Sequence, residues 1–212
     1  MNGDAVEIRV LGCLIEKQRT TPDAYPLSLN ALRLACNQST NRDPVVDYDE
    51  TQIRAALERV SNRGWARLAS GRGSRAVKYR HLLDEALDLA DDELSVLAVL
   101  MLRGPQTIGE LKQRSDRLHS FASLDEVAET LDRLAPRELA ARLSRRPGQK
   151  EDRYAQLLGE PEETPAAPQP AAPQPVAAPS DDRLERLEER LERLERQFDE
   201  LQTRLGNVPA HD

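Results

Sequence analysis

Apolar residues recur every three or four positions along the first 64 residues, and this spacing predicts three amphipathic helices. In residues 4–20 the recurring positions are Val10, Leu11, Leu14 and Ile15. Ser28 is placed to cap a second helix, and Asp49 with Gln52 has the capping-box pattern that begins a third. Gly64 ends that third helix.

Two short alternating runs follow the third helix, at residues 65–69 and 76–80, and they predict a β-hairpin. The segment between the runs contains Gly71 and Gly73, which permit the backbone angles of a tight connection. Three helices followed by a hairpin predict a winged-helix domain.

The same order of elements recurs from Asp92. Capping-box patterns at Thr107 and at Ser123 begin two further helices, and residues 139–143 and 153–157 flank a turn-rich segment. The predicted inward stripe of the last helix is Leu124, Val127, Ala128, Leu131 and Leu134. We therefore expect a second, diverged winged helix, and a fold class that is mainly α with small β-hairpins (α+β).

The C-terminal quarter of the chain has a different composition. Residues 161–180 contain seven prolines and no charge after Glu163, which predicts an extended, disordered linker. Leucines at alternating spacings of three and four then predict a coiled-coil seam, formed by Leu184, Leu187, Leu191, Leu194, Phe198, Leu201 and Leu205. The predicted divisions are 1–83 and 84–160 for the winged helices, 161–180 for the linker, 181–206 for the coiled coil and 207–212 for a tail.

Composition excludes several classes of protein. Aromatic residues make up only 3% of the 212 residues, so no large aromatic-lined cavity is indicated. The sequence has no apolar run of membrane-spanning length and no signal-peptide pattern, which predicts a cytoplasmic protein with no membrane partner.

The residues that carry most enzyme chemistry show no working arrangement. Cys13 and Cys36 fall among apolar residues and are expected to be buried thiols. His81, His119 and His211 have no cysteine or carboxylate at metal-ligand spacing. With no nucleophile beside a base and no phosphate-binding loop either, we expect no metal, no cofactor and no enzymatic activity.

Charge is unevenly distributed, although the whole chain carries −7. Residues 54–80 hold eight Arg or Lys and one acid, Glu58, which gives +7. A winged helix with this charge predicts binding of double-stranded DNA and a role in transcription regulation, with the third helix in the major groove and the hairpin on the backbone. The candidate contacts are Arg59, Asn62, Arg63, Arg72, Arg75, Lys78 and Arg80.

An alternative hypothesis is a protein-interaction scaffold that does not read DNA. Asp49 and Glu50 at the start of the third helix would repel phosphates, and the equivalent helix of the second half is acidic, so that half is expected to bind protein. This organisation resembles the acidic tandem winged-helix subunits of chromosome-condensing complexes. The two hypotheses also assign Gln38 and Asn41 differently, to local bracing of turns or to base contacts.

Four long strings resemble the YceH-like family of uncharacterised bacterial proteins. They are LGCLIEKQRTTPDAYPLSLNALRLACNQSTNRDPV, GRGSRAVKYRH, LRGPQTIGELKQRSDRLHSF and RRPGQKEDRYAQLL. The resemblance covers roughly residues 5–159. It implies a tandem winged-helix fold and no known activity, substrate or cofactor, and it does not extend to the linker or the coiled coil.

The predicted coiled coil leads to a testable oligomeric state, a parallel homodimer. In parallel chains Arg183 lies opposite Glu188 and Arg190 opposite Glu195, whereas antiparallel chains would oppose like charges. Light scattering should find a concentration-dependent dimer for the full chain and a monomer for a truncation that ends at Ser180. A full chain that stays monomeric at high micromolar concentration would refute the prediction.

Overall fold

The computed structural model describes residues 3–69, 77–145 and 151–159, and residues Met1–Thr164 form one compact unit. The predicted linker and coiled coil lie outside the described residues, as does the part of the first hairpin that contains Arg72 and Arg75. None of the described helices is long and apolar enough to cross a membrane.

The described part is a mixed α/β structure, predominantly helical, with small antiparallel sheets. The helices are α1 (Ala5–Thr20), α2 (Leu29–Cys36), α3 (Glu50–Asn62), α4 (Leu83–Leu87), α5 (Asp91–Arg103), α6 (Ile108–Ser115) and α7 (Leu124–Leu134). The strands are β1 (Leu27–Ser28), β2 (Ala66–Leu68), β3 (Lys78–His81), β4 (Ala140–Leu143) and β5 (Arg153–Gln156). The elements from α1 to β3 form the first half of this part, and those from α5 to β5 form the second half.

The predicted helix starts of the first half are confirmed. Ser28 accepts a hydrogen bond from the backbone of Ala31, and Asp49 forms a reciprocal capping box with Gln52. Gly64 follows α3 with a φ of +76°, a left-handed conformation that favours glycine. Local capping chemistry therefore sets where these helices begin and end.

The first hairpin belongs to a three-stranded antiparallel sheet in the order β1-β3-β2, and the sequence did not predict β1. Leu27 of β1 lies opposite Tyr79, and Leu68 of β2 lies opposite the same residue. Because opposite residues point to the same side of a sheet, these side chains share one face with Ala66 and His81, which are both buried. Leu68, at the end of β2, is 61% exposed.

The second half has the predicted order of three helices and a hairpin, with two local differences. Its first helix begins at Asp91 rather than Asp92, and it is followed by α6 and α7. Leu124, predicted to face inward, is 51% exposed, because it occupies the first helical position of α7 at the surface. Val127, Leu131 and Leu134 are buried as predicted.

Helices α1 and α5 pack against each other at the centre of this unit. Nine consecutive residues of α1 from Glu7 and ten of α5 from Glu93 are buried, so each helix is surrounded on all sides. At their closest approach stands Gly12: a Cβ built there would lie 2.9 Å from Cγ of Leu102 and 3.1 Å from Cβ of Met101. The two halves therefore share one continuous hydrophobic core.

Backbone contacts join the halves at two further places. The amide of Gly3 donates to the carbonyl of Leu158 at 2.8 Å, and the amide of Asp43 donates to the carbonyl of Leu102 at 2.9 Å. Leu83, at the predicted boundary between residues 83 and 84, is fully buried. That boundary stays a prediction, and the two halves that it separates are extensively packed.

We expect Gly12→Val to lower the free energy of unfolding by about 1–3 kcal/mol, since the added carbons collide with α5 in a tightly packed core. The control is Gly109→Val, because a Cβ at Gly109 would meet only the hydroxyl of Thr107, at 3.9 Å. Urea unfolding of both variants measures the difference. If both variants have the same free energy of unfolding, the close packing of α1 against α5 at Gly12 does not contribute to stability.

Candidate nucleic-acid interface

Three basic side chains share the outer face of the first sheet. Arg67 lies directly opposite Arg80, and Lys78 is two residues from Arg80 on the same strand, so all three point away from the core. Lys78 and Arg80 were both predicted contacts on this face. We call these three residues the basic hairpin face.

The basic hairpin face is accessible, and Arg80 within it has a carboxylate partner. Arg67 is exposed, whereas Lys78 and Arg80 are half-buried. Nη2 of Arg80 lies 2.5 Å from Oε1 of Glu85, whose side chain is 63% exposed. An ion pair this exposed contributes little energy, so phosphate can compete for Arg80 at small cost.

Arg67 was not among the predicted contacts, although it falls within the basic segment. The alternating pattern of residues 65–69 places it on the side opposite Ala66 and Leu68. Which side faces solvent depends on the pairing with β3, and that register is a tertiary feature.

The exposed face of α3 is nearly neutral. Nη2 of Arg54 lies 2.6 Å from Oε1 of Glu50, four residues earlier, and both side chains are more than half exposed. Glu58 and the predicted contact Asn62 are also exposed on this helix. The helix thus offers polar groups to a partner without a surplus of positive charge.

Two predicted DNA contacts, Arg59 and Arg63, bind a buried carboxylate of the chain itself. Nε of Arg59 lies 3.0 Å from Oε1 of Glu7, and Nη1 of Arg63 lies 3.1 Å from Oε2, while Glu7 is 1% exposed. Arg59 also pairs with Asp4 at 2.5 Å, and the guanidinium of Arg63 lies 5.3 Å from the centre of the Trp65 ring. Both arginines therefore join the end of α3 to the start of α1.

The second half repeats this arrangement with different residues. Glu93, near the start of α5, is buried and lies 3.5 Å from Nε of Arg133 and 3.4 Å from Nη1 of Arg137. The two arginines are four residues apart, as Arg59 and Arg63 are. Recurrence of one buried glutamate with two arginines indicates a structural role in both halves.

The polar residues between α2 and α3 brace the loop that contains them. Nδ2 of Asn37 donates to the carbonyl of Tyr48 at 2.8 Å, and Oδ1 of Asn37 accepts from the amide of Tyr48 at 2.9 Å. The buried Arg42 donates to Glu16 through both terminal nitrogens, at 3.0 and 2.6 Å. These contacts favour bracing over base contact for this loop.

The second half presents a different surface. Asp125, Glu129 and Asp132 are exposed on α7, which makes this helix face acidic. On the second hairpin, Arg142 and Arg145 each lie 2.5 Å from a carboxylate oxygen of Asp152. The carboxylates on this face of α7 would repel the phosphates of a duplex.

Titratable groups in the described residues form no cluster able to hold a metal ion. Burial lowers the pKa of His81 to about 4, and this neutral ring contacts Gln18 through Nε2. Cys13 and Cys36 are free and buried, and burial together with its neighbour Cys13 raises the pKa of the Cys36 thiol. Both thiols fit the predicted role of small core residues.

Residues 4–149 match the family model described as "Protein of unknown function, DUF480". A UPF0502 protein of Geotalea uraniireducens is 50% identical over 195 residues, which cover 89% of this chain and 88% of that protein. A UPF0502 protein of Ectopseudomonas mendocina is 46% identical over 186 residues, with coverages of 87% and 85%. These names state no activity, so function must be argued from the chain's own residues.

Removing either arginine that binds Glu7 should destabilise the fold. For Arg63→Ala we expect a loss of about 1–3 kcal/mol in the free energy of unfolding, and for Arg59→Ala with Arg63→Ala about 3–5 kcal/mol, since a buried carboxylate then lacks its counter-charges. The matched control is Arg54→Ala, whose exposed pair with Glu50 is worth less than about 1 kcal/mol.

Urea unfolding of the three variants gives these values, and a cycle with Glu7→Gln isolates the ion pairs. In the Glu7→Gln background, Arg63→Ala should cost much less than in the parent chain. Equal costs in the two backgrounds would show that Arg63 does not act through Glu7.

Proposed function

The chain belongs to the DUF480 (UPF0502) family of uncharacterised bacterial proteins, and we propose that it is a tandem winged-helix protein that binds double-stranded DNA through its first half. In this proposal it acts as a transcription regulator in the cytoplasm. Its second half contacts a protein partner, and its C-terminal segment pairs two copies.

The basic hairpin face carries the proposal. Arg67, Lys78 and Arg80 point outward from a small sheet that directly follows α3, the position from which a wing contacts the DNA backbone. Arg72 and Arg75 fall in the connection between β2 and β3 and extend the same basic strip along the sequence. Since phosphate contacts supply most non-specific affinity, this strip is where binding energy is expected.

Roles within the interface divide between the hairpin and α3. The hairpin supplies positive charge, whereas α3 supplies polar side chains such as Asn62 that fit a groove without adding charge. Arg59 and Arg63 act indirectly in this proposal, because their bonds to Glu7 fix the position of α3 relative to α1. The net charge of −7 on the whole chain repels DNA and limits affinity.

The second candidate function is a protein-interaction scaffold without DNA readout, and the second half favours it. Leu124 is 51% exposed at the start of α7, and Asp125 and Glu129 are exposed on the same helix. A helix with an exposed leucine and exposed carboxylates suits a basic, partly apolar protein surface better than DNA.

Selection of bound duplexes from a random pool at low salt separates the two functions. Enrichment of one sequence motif supports DNA readout, whereas a pool that stays unenriched while the chain captures no duplex supports the scaffold.

Charge removal on the hairpin should weaken duplex binding for all sequences alike. We expect Arg67→Ala with Lys78→Ala, or Arg72→Ala with Arg75→Ala, to reduce the slope of log affinity against log salt by about two, because each cation neutralises roughly one phosphate. Titration of a labelled duplex at several salt concentrations measures the slope.

The control for this titration is Arg142→Ala with Arg145→Ala, which removes two arginines from the second hairpin. That variant should bind the duplex with the slope of the parent chain, because the acidic residues exposed on α7 repel DNA from the second half. If Arg142→Ala with Arg145→Ala reduces the slope as much as the substitutions on the first hairpin do, the basic hairpin face is not the binding surface.

A further inference from the structure

A cleft of about 390 Å³ lies where α1, α5 and α6 meet. Its walls come from both halves of the unit, and its volume falls in the range of about 300–1,000 Å³ that is usual for small-molecule sites. The lining residues that matter here are Arg103, Arg114, Arg117, Val99, Leu102 and Leu118. It lies apart from the basic hairpin face, none of whose residues line it.

Neutral amide groups hold two of the three arginines in place. Nη2 of Arg103 donates to Oδ1 of Asn41, and Nη1 of Arg114 donates to Oε1 of Gln106. An amide oxygen orients a guanidinium without cancelling its charge. Arg117 is exposed at the same cleft and adds a third cation.

Two nearby carboxylates, Glu16 and Glu110, also bind cations outside this group of three arginines. Glu16 is the one carboxylate among the described lining residues, and it receives two hydrogen bonds from Arg42, at 3.0 and 2.6 Å. Glu110 lies 3.4 Å from Arg114, but its other oxygen accepts from Arg153 at the shorter distance of 2.9 Å. The cleft therefore retains a surplus of positive charge.

The surplus is visible at Arg103. Burial first, and then the charges of Arg114 and Arg42, lower the pKa of its guanidinium, and the opposing effects of Glu16 and Asp43 do not reverse this direction. An anion in the cleft would relieve the repulsion among these like charges.

We propose that this cleft binds a small phosphate monoester, with the phosphate against the three arginines and its apolar body against Leu118. A guanidinium group can donate two parallel hydrogen bonds to a phosphate group. The two negative charges of a phosphate monoester balance three arginines better than the single charge of a carboxylate does. The cleft is too small for a duplex. Val99 and Leu102 are each only 3% exposed and form its floor, so the half-buried Leu118 supplies the apolar contact. The inference does not rest on the proposed DNA binding.

Calorimetric titration of the full chain with phenyl phosphate and with inorganic phosphate tests the site. We expect one phenyl phosphate per chain, bound more tightly than inorganic phosphate because the ring contacts the apolar wall. Arg103→Ala with Arg114→Ala should weaken phenyl phosphate binding by about tenfold or more. Benzoate, with one negative charge, should bind more weakly than phenyl phosphate.

Two further variants distinguish a loss of binding from a loss of folding. Arg117→Glu changes an exposed side chain and should also weaken phenyl phosphate binding, even if the double variant does not fold. Arg142→Ala with Arg145→Ala, which removes two arginines far along the chain, should leave phenyl phosphate affinity unchanged. The proposal is overturned if phenyl phosphate shows no saturable binding at millimolar concentration, or if Arg117→Glu binds it as the parent does.

Discussion

The close packing of α1 against α5 is the contact on which the rest of the described structure depends. Each helix is the central element of its own half, and Gly12 lets their backbones approach where any larger side chain would meet Leu102 and Met101. Burial of both helices on all sides leaves no free apolar face on either one. Each half therefore completes the core of the other, which explains why residues Met1–Thr164 form one compact unit.

The two halves also share a way of fixing their third helix. A glutamate in the first turn of α1 or α5 caps its own helix and binds two arginines placed four residues apart. In each pair the first arginine lies in the last turn of α3 or α7, and the second follows that helix. A buried charge of this kind is costly unless it is paired, so each arginine pair is required by the glutamate that it contacts. Arginines such as Arg59 and Arg63 therefore add to the positive charge of the sequence, but their charge is neutralised within the fold and is not available to a partner.

This difference explains which features could be predicted from the sequence. Helix starts depend on residues three apart, such as Asp49 and Gln52, and the starts of the six predicted helices lie within one residue of those observed. The short helix α4 was not predicted. The partner of Arg59 lies 52 residues earlier in the chain, so its pairing has no local signal. Strand β1 has only two residues, which are too few to show an alternating pattern. Leu124 was predicted to face the core and is exposed, because helical spacing alone does not show which turn of a helix lies beyond the core. The cleft could not be predicted from the sequence, because its arginines come from α5, from α6 and from the turn after α6. No single segment of the sequence is basic enough to indicate such a site.

Helix α1 connects the proposed interface to the cleft. Its first turn holds α3 through Glu7, whereas its last turns supply Glu16 and Thr20 to the cleft wall. A helix of 16 residues spans about 24 Å and does not bend easily when packed on all sides. Residues of α5 and α6 line the cleft with the last turns of α1, whereas the ion pairs between α1 and α3 lie in the first turn of α1. A ligand that altered the angle between α1 and α5 would therefore move the first half as a body and leave the geometry of the basic hairpin face within it unchanged.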